Sequence, residues 1–142
     1  MTTNPIIRFI TLFAILAVST GLLFAAAKPE EEGQKSAEQW LALIDSGNYA
    51  ESWNTAAGYF KAAISGQQWE QTLNAVRKPL GQIVTRKLKS ATYAKSLPGA
   101  PDGEYVVLQF DTSFTNKKSA VETVTPMLDK DGLWRVSGYY IK

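Results

Sequence analysis

The first apolar pattern with a helical period starts just after Ser36. Its apolar residues recur at positions i, i+3, i+4 and i+7 of one helical face, and they are Ala37, Trp40, Leu41 and Ile44. The motif "SAEQ" that begins at Ser36 is a capping box, in which Ser36 and Gln39 satisfy each other's backbone amides. Gly47 suits the left-handed end of a helix. The pattern predicts a helix that begins at Ser36 and ends before Gly47, after a polar linker at residues 28–35.

An aromatic-rich stretch, "GNYAESWNTAAGYF", follows this helix. It again has a helical stripe, which consists of Tyr49, Trp53, Ala56 and Phe60. Gly58 is expected to divide the stretch into two short helices. A second capping box, "SGQQ" from Ser65 to Gln68, opens a further helix whose apolar face is predicted to contain Trp69, Leu73 and Val76. These segments predict a helical first half of the domain.

The hydrophobic period changes to two beyond Gln82, which is typical of β-strands. Four segments with this character are separated by turn sequences, and they are "QIVTRKLKSATYAKS", "EYVVLQFDTSF", "AVETVTPML" and "LWRVSGYYIK". Alternation in the last segment places Trp134, Val136 and Tyr140 on one face. Helices followed by antiparallel strands predict an α+β fold, in which N-terminal helices pack on one face of a four-stranded antiparallel sheet.

The N-terminus has the pattern of a targeting segment. Arg8 precedes the uncharged run "FITLFAILAVSTGLLFAAA", which ends in an alanine triplet that fits signal peptidase cleavage after Ala27. Residues 1–27 are therefore interpreted as a signal peptide helix, and residues 36–142 as a single domain that is periplasmic or secreted. The alternative is an uncleaved anchor at residues 9–27, since this run is just long enough to span a bilayer. A lipoprotein is excluded because the chain has no cysteine.

The composition excludes several classes of chemistry. Without cysteine or histidine, the chain has no thiolate nucleophile, no Ser-His-Asp triad and no common zinc site. We expect no metal and no cofactor. The turn "DKDG" at residues 129–132 lacks the ligand spacing of a calcium loop and is interpreted as a hairpin turn. The net charge of +2 argues against a dedicated nucleic-acid-binding protein.

Basic side chains occur between Arg77 and Lys95 with no acidic residue among them. We interpret this run as a solvated strand face, and an anionic lipid surface or polyanion is the alternative partner. Asp111 lies on the polar face of its predicted strand. It is expected to form a cross-strand charge pair with Arg86 or Arg135, and the alternative role is that of a catalytic base.

Four segments together resemble a known family: "AEQWLALIDSGNYAESW", "GEYVVLQFDTSF", "AVETVTPML" and "GLWRVSGYYIK". In this order they are similar to the bacterial family called domain of unknown function 4019, over nearly all of residues 36–142. The resemblance implies a fold of the nuclear transport factor 2-like (cystatin-like) superfamily, in which helices wrap a curved sheet into a cone. It implies no catalytic residues, because the family has no established activity and the fold hosts many functions.

Six aromatic residues are candidates for lining a pocket in such a cone: Trp53, Tyr59, Phe60, Trp69, Phe110 and Tyr140. The favoured interpretation is that large rings fill the core instead. Tyr59 lies one position off the helical stripe and is the candidate for a pocket rim. We predict a non-catalytic module of the cell envelope that binds a protein or a small apolar ligand. The alternatives are a small enzyme of ketosteroid-isomerase or dehydratase type, with carboxylate and tyrosine chemistry, and a structural homodimer that pairs through the open sheet face.

Overall fold

A computed structural model describes residues 25–142, which form one layer of helices against one face of an antiparallel sheet. The helices are α1 (Pro29–Asp45), α2 (Tyr49–Asn54), α3 (Gly58–Ala63) and α4 (Gly66–Val76), and a short 3-10 turn follows at Lys78–Leu80. The strands, in sheet order, are β1 (Ile83–Ala94), β2 (Tyr105–Phe114), β3 (Lys117–Leu128) and β4 (Trp134–Ile141). The α+β prediction with four antiparallel strands is confirmed.

Most of the predicted targeting segment lies outside the described residues, so neither the signal peptide nor the alternative anchor is described by the structure. Within residues 25–142, no helix combines the length and the apolar character that crossing a bilayer requires.

Helix α1 begins at Pro29, so the predicted linker at residues 28–35 is wrong for all but its first residue. Proline is favoured in the first turn of a helix, and Glu30, Glu31 and Glu32 place negative charge at the positive end of the helix dipole. The predicted capping box at Ser36 is also wrong. The Ser36 hydroxyl instead donates to the carbonyl of Trp134 at 2.8 Å, which ties α1 to β4.

Gly33 sets how closely α1 approaches the sheet. A Cβ atom at this position would lie 2.8 Å from the Cβ and Cγ2 atoms of Val106 on β2. This separation is well below a normal contact between carbon atoms, and packed interiors have little spare room. The glycine therefore permits α1 to lie directly on the central strand, which brings Trp40 and Leu41 into the core.

The later helices largely follow the sequence pattern. Gly58 begins α3, so the aromatic stretch is divided into two short helices as predicted. The capping box at Ser65 is confirmed, because Ser65 and Gln68 satisfy each other's backbone amides. Trp69 and Leu73 are buried, but Val76 is 52% exposed and does not belong to the apolar face of α4.

Strand β4 contains a bulge, and beyond it the inward-facing and outward-facing positions of the strand exchange places. Pro126 pairs with Val136 and Thr125 pairs with Gly138, so Ser137 is an extra residue without a partner on β3. Beyond Ser137 the inward position passes to Tyr139. The predicted placement of Tyr140 on the face of Val136 is therefore wrong, and Tyr140 is 51% exposed.

Candidate functional site

A buried carboxylate lies at the centre of the inward face of the sheet. Glu122 of β3 is fully buried and pairs directly with Phe110 on β2. It accepts hydrogen bonds from Arg86 Nε at 2.7 Å, from Arg86 Nη2 at 3.2 Å and from Thr112 Oγ1 at 2.7 Å. The Tyr139 hydroxyl is a further donor, made possible by the bulge in β4. Four donor contacts therefore converge on one buried carboxylate.

The network continues from Arg86 to the end of α1. Asp45, the last residue of α1, accepts from Arg86 Nη1 at 2.7 Å and from Arg86 Nη2 at 3.0 Å. Arg77 adds a longer contact to Asp45 at 3.3 Å, and its own guanidinium is 4.5 Å from the ring of Phe114. Two acidic and two basic side chains thus compensate each other between the helices and the sheet. A buried charge needs such pairing to offset its desolvation.

The pKa shifts in this network keep Arg86 charged and Tyr139 neutral, so these groups are not poised to transfer protons. Burial alone would lower the pKa of Arg86, but its hydrogen bonds to Asp45 and Glu122 outweigh burial and raise the pKa above its usual range. Burial and the neighbouring Glu122 carboxylate raise the pKa of Tyr139 well above its usual range. With every oxygen of Glu122 already bonded, the network suits a structural role and has no free position for a substrate.

Asp111 takes no part in this network. Its register partner on β1 is Lys87, and it is exposed on the opposite face of the sheet. Among residues 25–142, the carboxylate of Asp111 forms no ion pair, so the predicted pairing with Arg86 or Arg135 is wrong. Arg86 points inward to Asp45 and Glu122. It takes that direction because it is the register partner of Thr112, which is also buried on the inward face.

Arg135 forms its ion pairs within the β3–β4 hairpin. Its guanidinium contacts Asp131 at 2.7 Å and Asp129 at 3.2 Å. The hydrogen bond with Arg135 lowers the pKa of Asp131 to about 2. The pKa of Asp129 is lowered chiefly because the backbone amide of Gly58 donates to its carboxylate. The predicted hairpin turn at residues 129–132 is present, and its aspartates hold α3 and β4 in place.

Most of the six candidate pocket residues are core residues. Phe60, Trp69 and Phe110 are 8%, 5% and 2% exposed and belong to the main hydrophobic cluster. The rings of Phe60 and Trp69 meet edge to face at 4.9 Å. Trp53 is partly buried against this cluster, and its indole N–H donates to the carbonyl of Ile64 at 2.8 Å. These residues fill the space between helices and sheet.

Tyr59 has a different environment from the other candidates. It is 39% exposed and lies on a groove between α3, the β1–β2 loop and the end of β3. This groove, the Tyr59 groove, has a volume of about 550 Å³. Its walls are mostly apolar or aromatic and comprise Tyr59, Ala62, Pro101, Met127 and Leu128, together with glycine backbone.

Charged side chains also line the Tyr59 groove. Asp102, Asp129 and Lys130 contribute to its lining. The Tyr59 hydroxyl donates to the carbonyl of Gly99 at 3.1 Å, which ties the β1–β2 loop to α3. A mostly apolar lining with a few polar groups is typical of sites that bind small molecules.

Sequence reasoning missed the buried network and most of the groove. A signal for Glu122 was present, since it alternates with Ala120 and Val124 at inward positions of β3. A charged residue at a core position indicates a buried partner. The walls of the groove come from three segments that are distant in sequence, so only Tyr59 had a local signal.

A match to a known family covers most of the chain. A search of the curated proteins finds no similar sequence. The family model described as "Protein of unknown function (DUF4019)" matches residues 36–139, which is most of the chain and covers α1 beyond its second turn through nearly all of β4. The chain therefore belongs to the DUF4019 family.

Proposed function

We propose that this protein is exported to the cell envelope and acts there as a non-catalytic binding module. Its ligand is a small, largely apolar molecule that binds in the Tyr59 groove. The observation that carries the proposal is the contrast between this accessible groove and the fully bonded, buried network around Glu122.

The dimensions and the walls of the groove support a small ligand. Its volume of about 550 Å³ lies within the range of roughly 300–1,000 Å³ that is usual for ligand pockets. Tyr59, Met127 and Leu128 offer apolar surface, and burial of that surface by a ligand is favourable. Asp102, which also lines the groove, would interact with a polar end of the molecule.

The start of the domain supports cleavage after Ala27. Residues 25–28 are exposed and lie outside any helix, so this segment is open to a peptidase. Helix α1 begins at Pro29, two residues after the proposed cleavage point, and the docked part of the domain follows from there. Three glutamates in the first turn would also lie near the new positive terminus at Lys28.

The proposal includes a cone of the nuclear transport factor 2-like type. Support comes from the single helical layer on one face of the meander β1-β2-β3-β4 and from the bulges that bend its strands. The enzyme alternative receives no support from the carboxylate and tyrosine that lie inside, because Glu122 is inaccessible and has no free lone pair directed at a cavity.

Mass spectrometry on protein from its own envelope tests both parts of the proposal. The full chain is expressed, the envelope fraction is isolated, and intact mass is measured under denaturing and native conditions. We expect a chain that begins at Lys28 and a native species that carries one additional small molecule. A chain that retains Met1 would contradict cleavage, and a native mass without any added molecule would contradict the binding role.

A groove-filling variant locates the ligand. Ala62 is exposed and lies in the wall of the groove, so Ala62→Trp should occupy the space and abolish retention of the molecule. Ala42 is also an exposed helical alanine, but it lies on α1 away from the Tyr59 groove, so Ala42→Trp is the matched control. Retention of the molecule by Ala62→Trp would place its site elsewhere.

A further inference from the structure

A second cleft lies between the carboxyl end of α1 and the exposed side of α4. It has a volume of about 510 Å³ and shares no lining residue with the Tyr59 groove. We name it the Glu70 cleft. Its polar and charged lining includes Asp45, Glu70, Asn74, Arg77, Lys78 and Gln82. The character of the cleft is therefore opposite to that of the apolar Tyr59 groove.

The charges in the Glu70 cleft are arranged in a row along α4 and the turn after it. Glu70, Asn74 and Lys78 follow each other at intervals of four residues, which places them along one side of the cleft. Eight residues at the rise of an α-helix correspond to roughly 12 Å, and the 3-10 turn at Lys78, beyond the end of α4, lengthens this slightly. A carboxylate therefore lies at one end of the cleft, an amide at its middle and an ammonium group at its other end.

The two end charges remain available to a ligand. Among the described residues, neither Glu70 nor Lys78 forms an ion pair, and they are too far apart along the helix to pair with each other. Asp45 also lines the cleft, but both of its carboxylate oxygens are already bonded to Arg86. The uncompensated acid is thus Glu70.

Arg77 lies in the wall of the cleft beside Lys78. Its side chain is 3% exposed, and its guanidinium donates to the Gly81 carbonyl at 2.6 Å and to Asp45 at 3.3 Å. Within residues 25–142, its Nε–H has no acceptor, although buried polar groups are usually satisfied. Because this Nε is itself buried and Asp45 compensates the Arg77 charge, Lys78 is the cation that a ligand in the cleft can reach.

We propose that the Glu70 cleft binds a short zwitterionic peptide of about three residues. Its terminal ammonium group lies at Glu70, and its terminal carboxylate lies at Lys78. Asn74 and Gln82 offer amide groups to the peptide bonds between them. A tripeptide spans about 10 Å, which matches the separation of the two charged ends.

Ligands with one kind of charge fit the cleft less well. A simple anion at Lys78 would leave Glu70 unpaired, and a simple cation at Glu70 would leave Lys78 unpaired. A single amino acid has both charges, but they are too close together to reach both ends. The separation of the charges therefore selects for peptide length as well as for both free termini.

The proposal is tested by titration of the ¹⁵N-labelled mature chain with trialanine, followed by amide NMR. We expect saturable shifts at the residues of the Glu70 cleft. N-acetyl-trialanine and trialanine amide should each bind about tenfold more weakly, because each lacks one charged hydrogen-bonding group. Absence of saturable shifts, or equal affinity for the capped peptides, would overturn the proposal.

Charge-neutral variants assign each end of the peptide. Glu70 and Lys78 are exposed and form no side-chain hydrogen bond to described residues, so Glu70→Gln and Lys78→Gln should fold normally. Glu70→Gln should remove the preference for a free amino terminus, and Lys78→Gln should remove most of the preference for a free carboxylate. Lys87→Gln on β1 is the control and should retain both preferences. Retained preferences in Glu70→Gln, or their loss in Lys87→Gln, would contradict the assignment.

The outcome is independent of the proposed role of the Tyr59 groove. A failed titration with trialanine leaves the apolar ligand of that groove untouched, because the two sites share no residue. Conversely, loss of the apolar ligand in Ala62→Trp should not change the affinity for trialanine.

Discussion

Two regions of the molecule place tyrosine close to acidic side chains, with opposite consequences. Tyr139 donates to Glu122 in the interior, where Arg86 and Thr112 occupy the remaining acceptor positions. Tyr59 lines a groove to which Asp102 also contributes, and Tyr59 is 39% exposed. The interior pair is closed to any ligand, whereas the groove at Tyr59 offers accessible, mostly apolar surface.

The difference teaches that residue types alone do not identify a site. A carboxylate next to a tyrosine is the pattern expected of a proton-transfer enzyme, but here each oxygen of Glu122 is engaged and the group is fully buried. Such a network holds the helices on the sheet, because removal of one partner leaves another charge uncompensated. The surface at Tyr59 has the unused area that binding requires.

The largest effect is expected for Glu122→Gln. This variant keeps the shape of the side chain but removes the charge that compensates Arg86, so unfolding free energy should fall by about 3–5 kcal/mol. Urea unfolding followed by tryptophan fluorescence measures the loss. Asp111→Asn, on the exposed face, is the control and should change stability by less than about 0.5 kcal/mol. A loss for Glu122→Gln as small as that of the control would contradict the structural role of the network.

A smaller loss is expected for Gly33→Ala, which tests how tightly α1 lies on the sheet. The added methyl group would meet Val106 at 2.8 Å, so the helix must shift and unfolding free energy should fall by about 1–3 kcal/mol. Gly58→Ala is the matched control, because no neighbouring atom lies within 4 Å of its new Cβ. Equal stability of the two variants in the same urea assay would show that the interior has room to adjust.

The effect of Tyr139→Phe is expected to depend on pH. Loss of the hydroxyl removes a hydrogen bond to Glu122 and should cost about 1 kcal/mol near neutral pH. The pKa of Tyr139 is raised in the folded state above its ordinary value of 10.0, so its contribution is fully present below that pH and decreases as pH rises beyond it. The difference in unfolding free energy between the wild-type chain and Tyr139→Phe should therefore shrink between about pH 9 and about pH 11. A constant difference across this range would contradict the raised pKa.

The order and type of the regular elements could be predicted from sequence because hydrophobic period is a local property. The helical stripe of the aromatic stretch and the capping box at Ser65 are examples. The start of α1 was predicted too late because the sequence from Ser36 to Gln39 matches the capping-box motif of a helix N-terminus. The proline and glutamates at residues 29–32 in fact begin the helix, and Ser36 bonds to β4.

Features that depend on distant residues escaped prediction. Tyr139, and not the predicted Tyr140, faces inward because of a bulge at Ser137. The alternation of apolar and polar residues in the sequence does not reveal such a bulge. The partners of Arg86 come from α1 and β3, which no local pattern connects. Tyr59 was recognisable only as a ring off the helical stripe, and the rest of its groove is assembled by the fold.

The central claim, that the Tyr59 groove is the binding site, is tested most directly by fluorescence titration with a phenylnaphthylamine probe. Tyr59→Ala removes a wall of the groove, whereas Tyr140→Ala removes an exposed tyrosine on the opposite face of the sheet. We predict saturable binding to the wild-type mature chain, at least about tenfold weaker binding to Tyr59→Ala, and unchanged binding to Tyr140→Ala. Binding to Tyr59→Ala with the affinity of the wild-type chain would contradict the account.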